Sequence, residues 1–255
     1  MAAGPTVKLR ARGLGHTYRG ERPVRALDGV ELDVLENEFL VLIGPSGCGK
    51  TTFLQIAAGF VAPTEGTIEA DGRVVRAPGP DRGYVFQEDA VFPWMTVRDN
   101  VEFGLVAKGL PSGERRRLGE HFIRLVGLEG FEDALPKELS GGMLKRVDLA
   151  RAYAVDPAVL LMDEPFGPLD AQTRAVMQDE LCTIWERAKK TVVFVTHDIE
   201  EAIFLGDRVV VFTPRPGRIH TIIEVGLPRP RRTAARLSEA FVALKRQAWE
   251  AVGFI

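Results

Sequence analysis

The chain has 255 residues, 45% of them apolar and 27% charged, enough apolar mass for a substantial buried core, which excludes disorder as its general state. A net charge of −2, with Lys and Arg interspersed among Asp and Glu, supplies no overall field for nucleic acid or an anionic membrane, and two cysteines suggest no disulfide framework. The longest charge-free stretch of the strand-like core, Phe39 to Gly49, is broken by glycine and proline and falls well short of the roughly 20 residues of a spanning helix. Met1-Ala2-Ala3-Gly4-Pro5 lacks the basic-then-apolar run of a secretion signal, so a cytoplasmic protein is expected.

In chain order, Lys8 to Val34 mixes Val, Leu and Tyr with turn-forming Gly and Asp, which predicts antiparallel strands covering one side of the molecule. Phe39 to Ile43 is a continuous apolar run that leads into Gly44-Pro45-Ser46-Gly47-Cys48-Gly49-Lys50-Thr51-Thr52. Thr67 to Arg76 predicts a hairpin turning at Asp71-Gly72, and the apolar Tyr84-Val85-Phe86 precedes Gln87. From Thr96 to Ala154 the periodicity is helical, with breaks at Gly109-Leu110-Pro111 and Leu135-Pro136. Val159 to Met162 and Val192 to Val195 are again continuous apolar runs, followed by Asp163-Glu164 and by Thr196-His197-Asp198. Continuous patterning suits strands buried on both faces of a parallel sheet, and such sheets gather ligands beyond the carboxyl ends of their strands. Pro214 to Arg218 is a turn, Arg229 to Arg236 a solvated basic linker, and Leu237 to Ala251 a helix. The expected fold is α/β: a mostly parallel sheet flanked by helices, with an antiparallel β subdomain and an inserted helical subdomain. Residues 1–255 form one domain, with a core at 8–87 and 155–225, the helical insertion at 88–154 and a helical tail at 226–255.

The span from Gly44 to Thr51 fits the phosphate-loop pattern, in which glycines let backbone N–H groups close around phosphate oxygens. Lys50 is expected to neutralise the β- and γ-phosphates and Thr51 to offer its hydroxyl to Mg²⁺. Cys48 is a small residue tolerated inside the loop. Asp163 ends a buried strand, where a carboxylate needs a cation held directly or through water; Glu164 beside it can orient or deprotonate the attacking water. His197 at the sheet edge can donate to the γ-phosphate, and the Gln87 amide can reach Mg²⁺ or that water. Tyr18 can stack on adenine or fill the core. Ser140-Gly141-Gly142 opens a helix, either as a plain N-cap or as a second anion site that serves a partner's nucleotide.

Together these residues resemble the nucleotide-binding subunits of ABC transporters, over nearly the whole chain from about Leu9 to Arg218. The resemblance implies that Tyr18 stacks on adenine, Gln87 is the Q-loop residue, Leu139 to Gly142 the signature, Glu164 the catalytic base, Asp170 the D-loop acid and His197 the switch histidine. It also implies ATP and Mg²⁺ as cofactors, and two copies closing head to tail over two ATP molecules. Val85 to Trp94, Val97 to Val101 and Pro214 to Ile219 look like importers of taurine, alkanesulfonates and nitrate, with Gly79 to Gly83 leaning toward the taurine branch. That likeness implies a peripheral ATPase on the cytoplasmic face of the inner membrane, serving permease subunits and an external solute-binding protein. The permease would dock near Glu88 to Trp94, although Phe92-Pro93-Trp94 can equally be buried in the helical subdomain.

Departures from the family pattern are Met143, Lys145 and Asp148 in and after the signature, Pro168 before Asp170, and Asn37 at a usual glycine. Lys145 and Asp148 bring the packing and charge of their helix into question, Pro168 the flexibility of its loop, and Asn37 still permits a left-handed turn. An exporter or lipid-transfer ATPase would carry nearly the same nucleotide machinery. A soluble ABC ATPase acting on DNA would need a heptad coiled coil or a basic stripe, and neither is visible. A simple phosphate-loop kinase or GTPase leaves Leu139 to Gly142 and His197 without a role, and the Asn-Lys-x-Asp guanine motif is missing.

Overall fold

In the computed structural model, which describes residues 6–88 and 90–253, the expected apolar runs are strands of one six-stranded sheet. Met1 to Pro5, Asp89 within the expected docking stretch, and the last two residues of the tail lie outside the described residues. Strands β1 (Val7–Tyr18) and β2 (Val24–Leu35) pair antiparallel, and β1 also pairs with β4 (Glu65–Ala70), which turns into β5 (Arg73–Val74). The turn falls at Asp71 and Gly72, both left-handed, the geometry that matches the twist of a two-residue hairpin.

The larger sheet runs β10-β9-β3-β8-β7-β6, made of β3 (Phe39–Ile43), β6 (Arg82–Val85), β7 (Val159–Asp163), β8 (Thr191–Val195), β9 (Arg208–Phe212) and β10 (Ile219–Glu224). Five of these are parallel, and β10 returns antiparallel at one edge. All five β3 side chains are buried because both faces are covered. Phe39, Val41 and Ile43 join the larger apolar core with the helical elements, whereas Leu40 and Leu42 join a second core beneath the antiparallel sheet. Each such side chain contributes about 1.5–3 kcal/mol by burial, which explains an unbroken apolar run where a half-exposed strand would alternate.

Helix α1 (Lys50–Ala58) follows β3, and the region from Thr96 holds α2 (Val97–Ala107), α3 (Ser112–Leu125), a 3-10 turn (Pro136–Glu138) and α4 (Gly141–Ala154). Thr96 and Asp99 cap the start of α2 reciprocally, while the expected break at Gly109 to Pro111 separates α2 from α3. After β7 come α5 (Ala171–Ala188) and, after β8, the short α6 (Ile199–Leu205). Asn37 is left-handed, with its N–H donated to Thr191 Oγ1 at 2.9 Å. Pro168 lies in a loop held from α5, where Arg174 donates to the carbonyls of Phe166 and Leu169.

The tail corrects one expectation. The segment from Arg229 to Arg236 is no solvated linker: Arg231 is 2% exposed and its Nη1 donates to the carbonyls of Ile203, Phe204 and Gly206, which caps the end of α6. Burial pulls this guanidinium down to about 10. Arg229 bonds Asp207 and lies 4.1 Å over the Trp185 ring, so composition misled where carbonyl acceptors awaited the charges. The final helix, α7 (Glu239–Gly253), packs on α6.

Arg236 donates to Gln178 Oε1, and Gln178 Nε2 donates to the buried Glu201 at 2.8 Å. Burial holds the Glu201 carboxyl above its ordinary range, against the opposing hydrogen bonds from Thr196 and Gln178. The native state therefore takes up this proton more readily than the unfolded chain. The resulting cost is absent below the free value of about 4.3 and grows as pH rises through the raised native value. Glu201→Gln is expected to raise Tm at neutral pH, with the gain vanishing in the acid limit; thermal melts across pH check this, and a loss at neutral pH would contradict it.

Candidate nucleotide site

The loop between β3 and α1 is shaped by glycines in conformations closed to other residues. Gly49 has φ 102°, and a Cβ there would lie 2.7 Å from the Ala26 carbonyl oxygen, so the backbone can enter α1 only without a side chain. Lys50 Nζ donates to the carbonyls of Gly44 (2.8 Å) and Pro45 (3.1 Å), which ties the ammonium to the loop. A cavity of about 310 Å³ opens above, lined by Ser46 to Thr52 together with Tyr18, Glu164 and Arg215. Tyr18 is half-exposed at this cavity rather than part of the core. Its hydroxyl lies 3.2 Å from Thr52 Oγ1, and the His16 ring meets it edge-on at 4.5 Å.

Asp163, at the end of β7, accepts from Thr51 Oγ1 at 3.0 Å and from the Tyr84 hydroxyl at 3.1 Å. Burial lifts its carboxyl above the ordinary range despite both bonds, and the Glu164 charge adds to that lift. A hydroxyl and a buried carboxylate side by side are hard oxygen donors that fit Mg²⁺. Among the described residues no cluster of three or more His, Cys, Asp or Glu could hold a metal.

Glu164 follows in a left-handed conformation, φ 42°, with its N–H donated to the Val195 carbonyl at 3.0 Å. A non-glycine residue held there costs of order 1–3 kcal/mol, the kind of strain that accumulates at functional sites. The twist places its carboxylate on the phosphate-loop cavity, where Oε2 lies 2.9 Å from His197 Nδ1. His197 lines a neighbouring cavity of about 690 Å³ that reaches Gly44 to Ser46 from the other side.

The structure separates the remaining expected residues from this centre. Gln87 is exposed, and a Cβ at Gly167 would lie 3.9 Å from its Nε2, which puts the amide by the turn after Glu164 and outside the phosphate-loop cavity. Asp170 Oδ1 caps α5, accepting from Gln172 and Thr173 at 3.0 Å each. Ser140 caps α4 through a bond from Met143 N at 3.3 Å. Ser140 and Gly142 line a cavity of about 400 Å³ of their own, bounded by α5.

The charge of α4 is resolved. Lys145 and Asp148 are 1% and 2% exposed at their side chains and lie 3.6 Å apart. Lys145 Nζ donates to the Phe86 carbonyl at 3.2 Å, Asp148 Oδ2 accepts from Ala90 N at 3.3 Å, and Asp148 Oδ1 takes Arg151 Nη2 at 2.7 Å. Arg151 also donates to the Ala90 carbonyl at 2.7 Å and stands 5.3 Å over the Phe92 ring. Spaced by three along α4, these groups latch the helix that begins at Ser140 onto the segment that carries Gln87. Sequence reasoning missed Arg151, Tyr84 and Arg215; only for Arg215 was a signal present, in the Pro214 to Arg218 turn.

A strand, a glycine loop and a helix opening at Lys-Thr, with carboxylates at the end of a parallel strand two places along the same sheet, define a phosphate-loop nucleotide hydrolase. The ABC transporter family model matches residues 27–167. An uncharacterized ABC transporter ATP-binding protein of Methanocaldococcus jannaschii is 56% identical over 88% of this chain and 85% of its own length. A taurine import ATP-binding protein of Rhizobium johnstonii is 52% identical over 78% of this chain and 76% of its own. Among solved structures, a dimeric bacterial ABC transporter cassette superposes with TM-score 0.75 at 33% identity, covering 86% of this chain and all of that one. A post-hydrolysis state of that cassette with ADP and phosphate matches equally well, at 32% identity. The chain belongs to the ABC transporter family as an ATP-binding, ATP-hydrolysing subunit. Among the described residues no helix is long and apolar enough to cross a membrane.

Proposed function

We propose that the chain powers uptake of a small anionic or zwitterionic solute of the taurine, alkanesulfonate or nitrate type, as one of two copies that close head to tail over ATP. The observation that carries the dimeric part is the separation of two anion-binding elements. The phosphate loop, Tyr18 and Glu164 share one cavity, whereas Ser140 and Gly142 cap α4 on another. A helix N-terminus with no place in its own subunit's nucleotide site is suited to a partner's γ-phosphate. In this reading Lys50 and the loop N–H groups hold the β- and γ-phosphates, Tyr18 stacks on adenine, and Thr51 and Asp163 would hold Mg²⁺, which would neutralise developing charge on the phosphate oxygens. Glu164 takes a proton from the attacking water, His197 orients that carboxylate and reads the γ-phosphate, and Asp170 shapes the partner-facing loop.

Trp94 is 72% exposed beside Phe92 and Phe103, a bare aromatic surface suited to a permease. In this reading the subunit works at the cytoplasmic face of the membrane and powers a permease that draws solute from an external binding protein. The taurine import relative supports import over export.

Ser140→Arg should leave ATP binding to its own phosphate loop intact and block closure. In mixed dimers with one altered subunit, hydrolysis should fail at the unaltered subunit's phosphate loop; failure confined to the altered subunit's own loop would sink the trans arrangement. Growth and uptake on taurine, alkanesulfonates or nitrate with Glu164→Gln in place of the parent tests the transport role. Selective loss on one solute identifies the cargo, and normal uptake of all three with an expressed, inactive variant removes the importer assignment.

A further inference from the structure

Arg215 has no role in the reading above, yet it lines the same cavity as Tyr18, Lys50 and Thr51. It sits in the turn that joins β9 to β10. Because β9 lies beside β3 on the flank opposite β8, Arg215 approaches the phosphate loop from the side away from His197. Val24 and Ala26 of β2 line the cavity with it, forming an apolar wall unsuited to triphosphate and suited to a nucleoside.

The turn is built with unusual closeness to the phosphate loop. Gly217 N donates to the Ala26 carbonyl at 2.8 Å, and the Gly217 carbonyl accepts from Asp28 N at 3.0 Å, which sews the turn to β2. A Cβ at Gly217 would fall on the Cys48 carbonyl oxygen, so only glycine lets the turn rest on the loop. Thr213 closes the turn from within: its N–H donates to the Arg218 carbonyl at 2.9 Å and its Oγ1 accepts from Arg218 N at 3.0 Å. Outside, the Arg218 guanidinium pairs with Asp28, which also takes Arg25.

Against these paired neighbours Arg215 stands apart. Among the described residues it is exposed and has neither an ion pair nor a hydrogen bond through its side chain. A braced turn that presents one uncommitted guanidinium to a cavity floored by anion-binding N–H groups is a site for a second cation on the nucleotide. We infer that Arg215 is a nucleotide-binding residue, whose guanidinium donates to phosphate oxygens at the nucleoside end of ATP while Lys50 serves the β- and γ-phosphates. The inference rests on the reading that this cavity holds ATP. Since the contact lies away from the γ-phosphate, it is kept after hydrolysis and serves ADP equally. Its loss therefore falls on affinity.

Calorimetric titration of the full chain with ATP and with ADP, in the presence of Mg²⁺, tests this on the parent, Arg215→Ala, Arg215→Lys and Arg218→Ala. A charge-assisted hydrogen bond lost from a partly exposed site predicts a rise of about tenfold in Kd for both nucleotides in Arg215→Ala. KM for ATP should rise in parallel while kcat changes far less, and Arg215→Lys should recover part of the loss. Unchanged Kd values in Arg215→Ala would overturn the inference. So would an equal loss in Arg218→Ala, which cuts the turn's own ion pair and leaves Arg215, because the effect would then be the turn's stability. Weakening of ATP alone would move the contact to the γ-phosphate and overturn the placement. A parent protein that bound neither nucleotide would bring down the assignment of the cavity itself, a failure readily told apart from that of Arg215.

Discussion

Glu164→Gln should bind ATP with near-parental affinity and hydrolyse it about 10²–10⁴-fold more slowly, the range a positioned general base contributes. On the proposed reading the substitution removes the proton acceptor and little else. The left-handed backbone at 164 is fixed by the N–H bond to Val195, and an amide can keep a hydrogen bond to His197 Nδ1 at the 2.9 Å now spanned. Lys50 and the loop are untouched. With the base gone, bound ATP persists, so the variant should also accumulate as a dimer in the presence of ATP. Single-turnover phosphate release, measured beside ATP binding and size-exclusion chromatography, checks all three. Turnover within a few-fold of the parent would remove Glu164 from this role.

The largest effect on stability is expected at a position that touches no nucleotide. Asp148→Ala takes from the buried Lys145 a carboxylate 3.6 Å away and from Arg151 the acceptor 2.7 Å away. Removing one acceptor from a buried charged network costs about 1–3 kcal/mol, roughly 2–12 °C in Tm for a chain of this size. Replacing both members in Lys145→Gln/Asp148→Ala should cost less than the single change, because the remaining carbonyl of Phe86 can be met by an amide. Thermal and urea unfolding of the single and double variants decide the matter. If the single variant were as stable as the parent, the latch would contribute nothing.

The parts legible in the sequence share one physical cause. Phe39–Ile43, Val159–Asp163 and Thr191–Val195 are strands because burial on both faces demands unbroken apolar runs, and the chemistry at their ends followed from the topology of parallel sheets. Arg208–Phe212 carries a similar apolar run from Val209 but opens on a charged residue and leads into a turn rather than into catalytic side chains. What stayed hidden depended on partners far along the chain. Arg231 reads as a solvated charge until the carbonyls at the end of α6 are in place, and Lys145 reads as a misfit until Asp148 and the Phe86 carbonyl surround it. Tyr18 could not be assigned between cavity and core, since its alternation along β1 is compatible with both; the cavity it lines with Thr52 decides its position.

The arginine buried behind α6 has a bearing on where this chain can be cut. By supplying donors to the last carbonyls of the helix that starts just after His197, it makes a stretch well downstream of the hydrolytic centre part of the same cooperative folding unit. Truncation upstream of Arg231 therefore removes these donors and is expected to loosen α6.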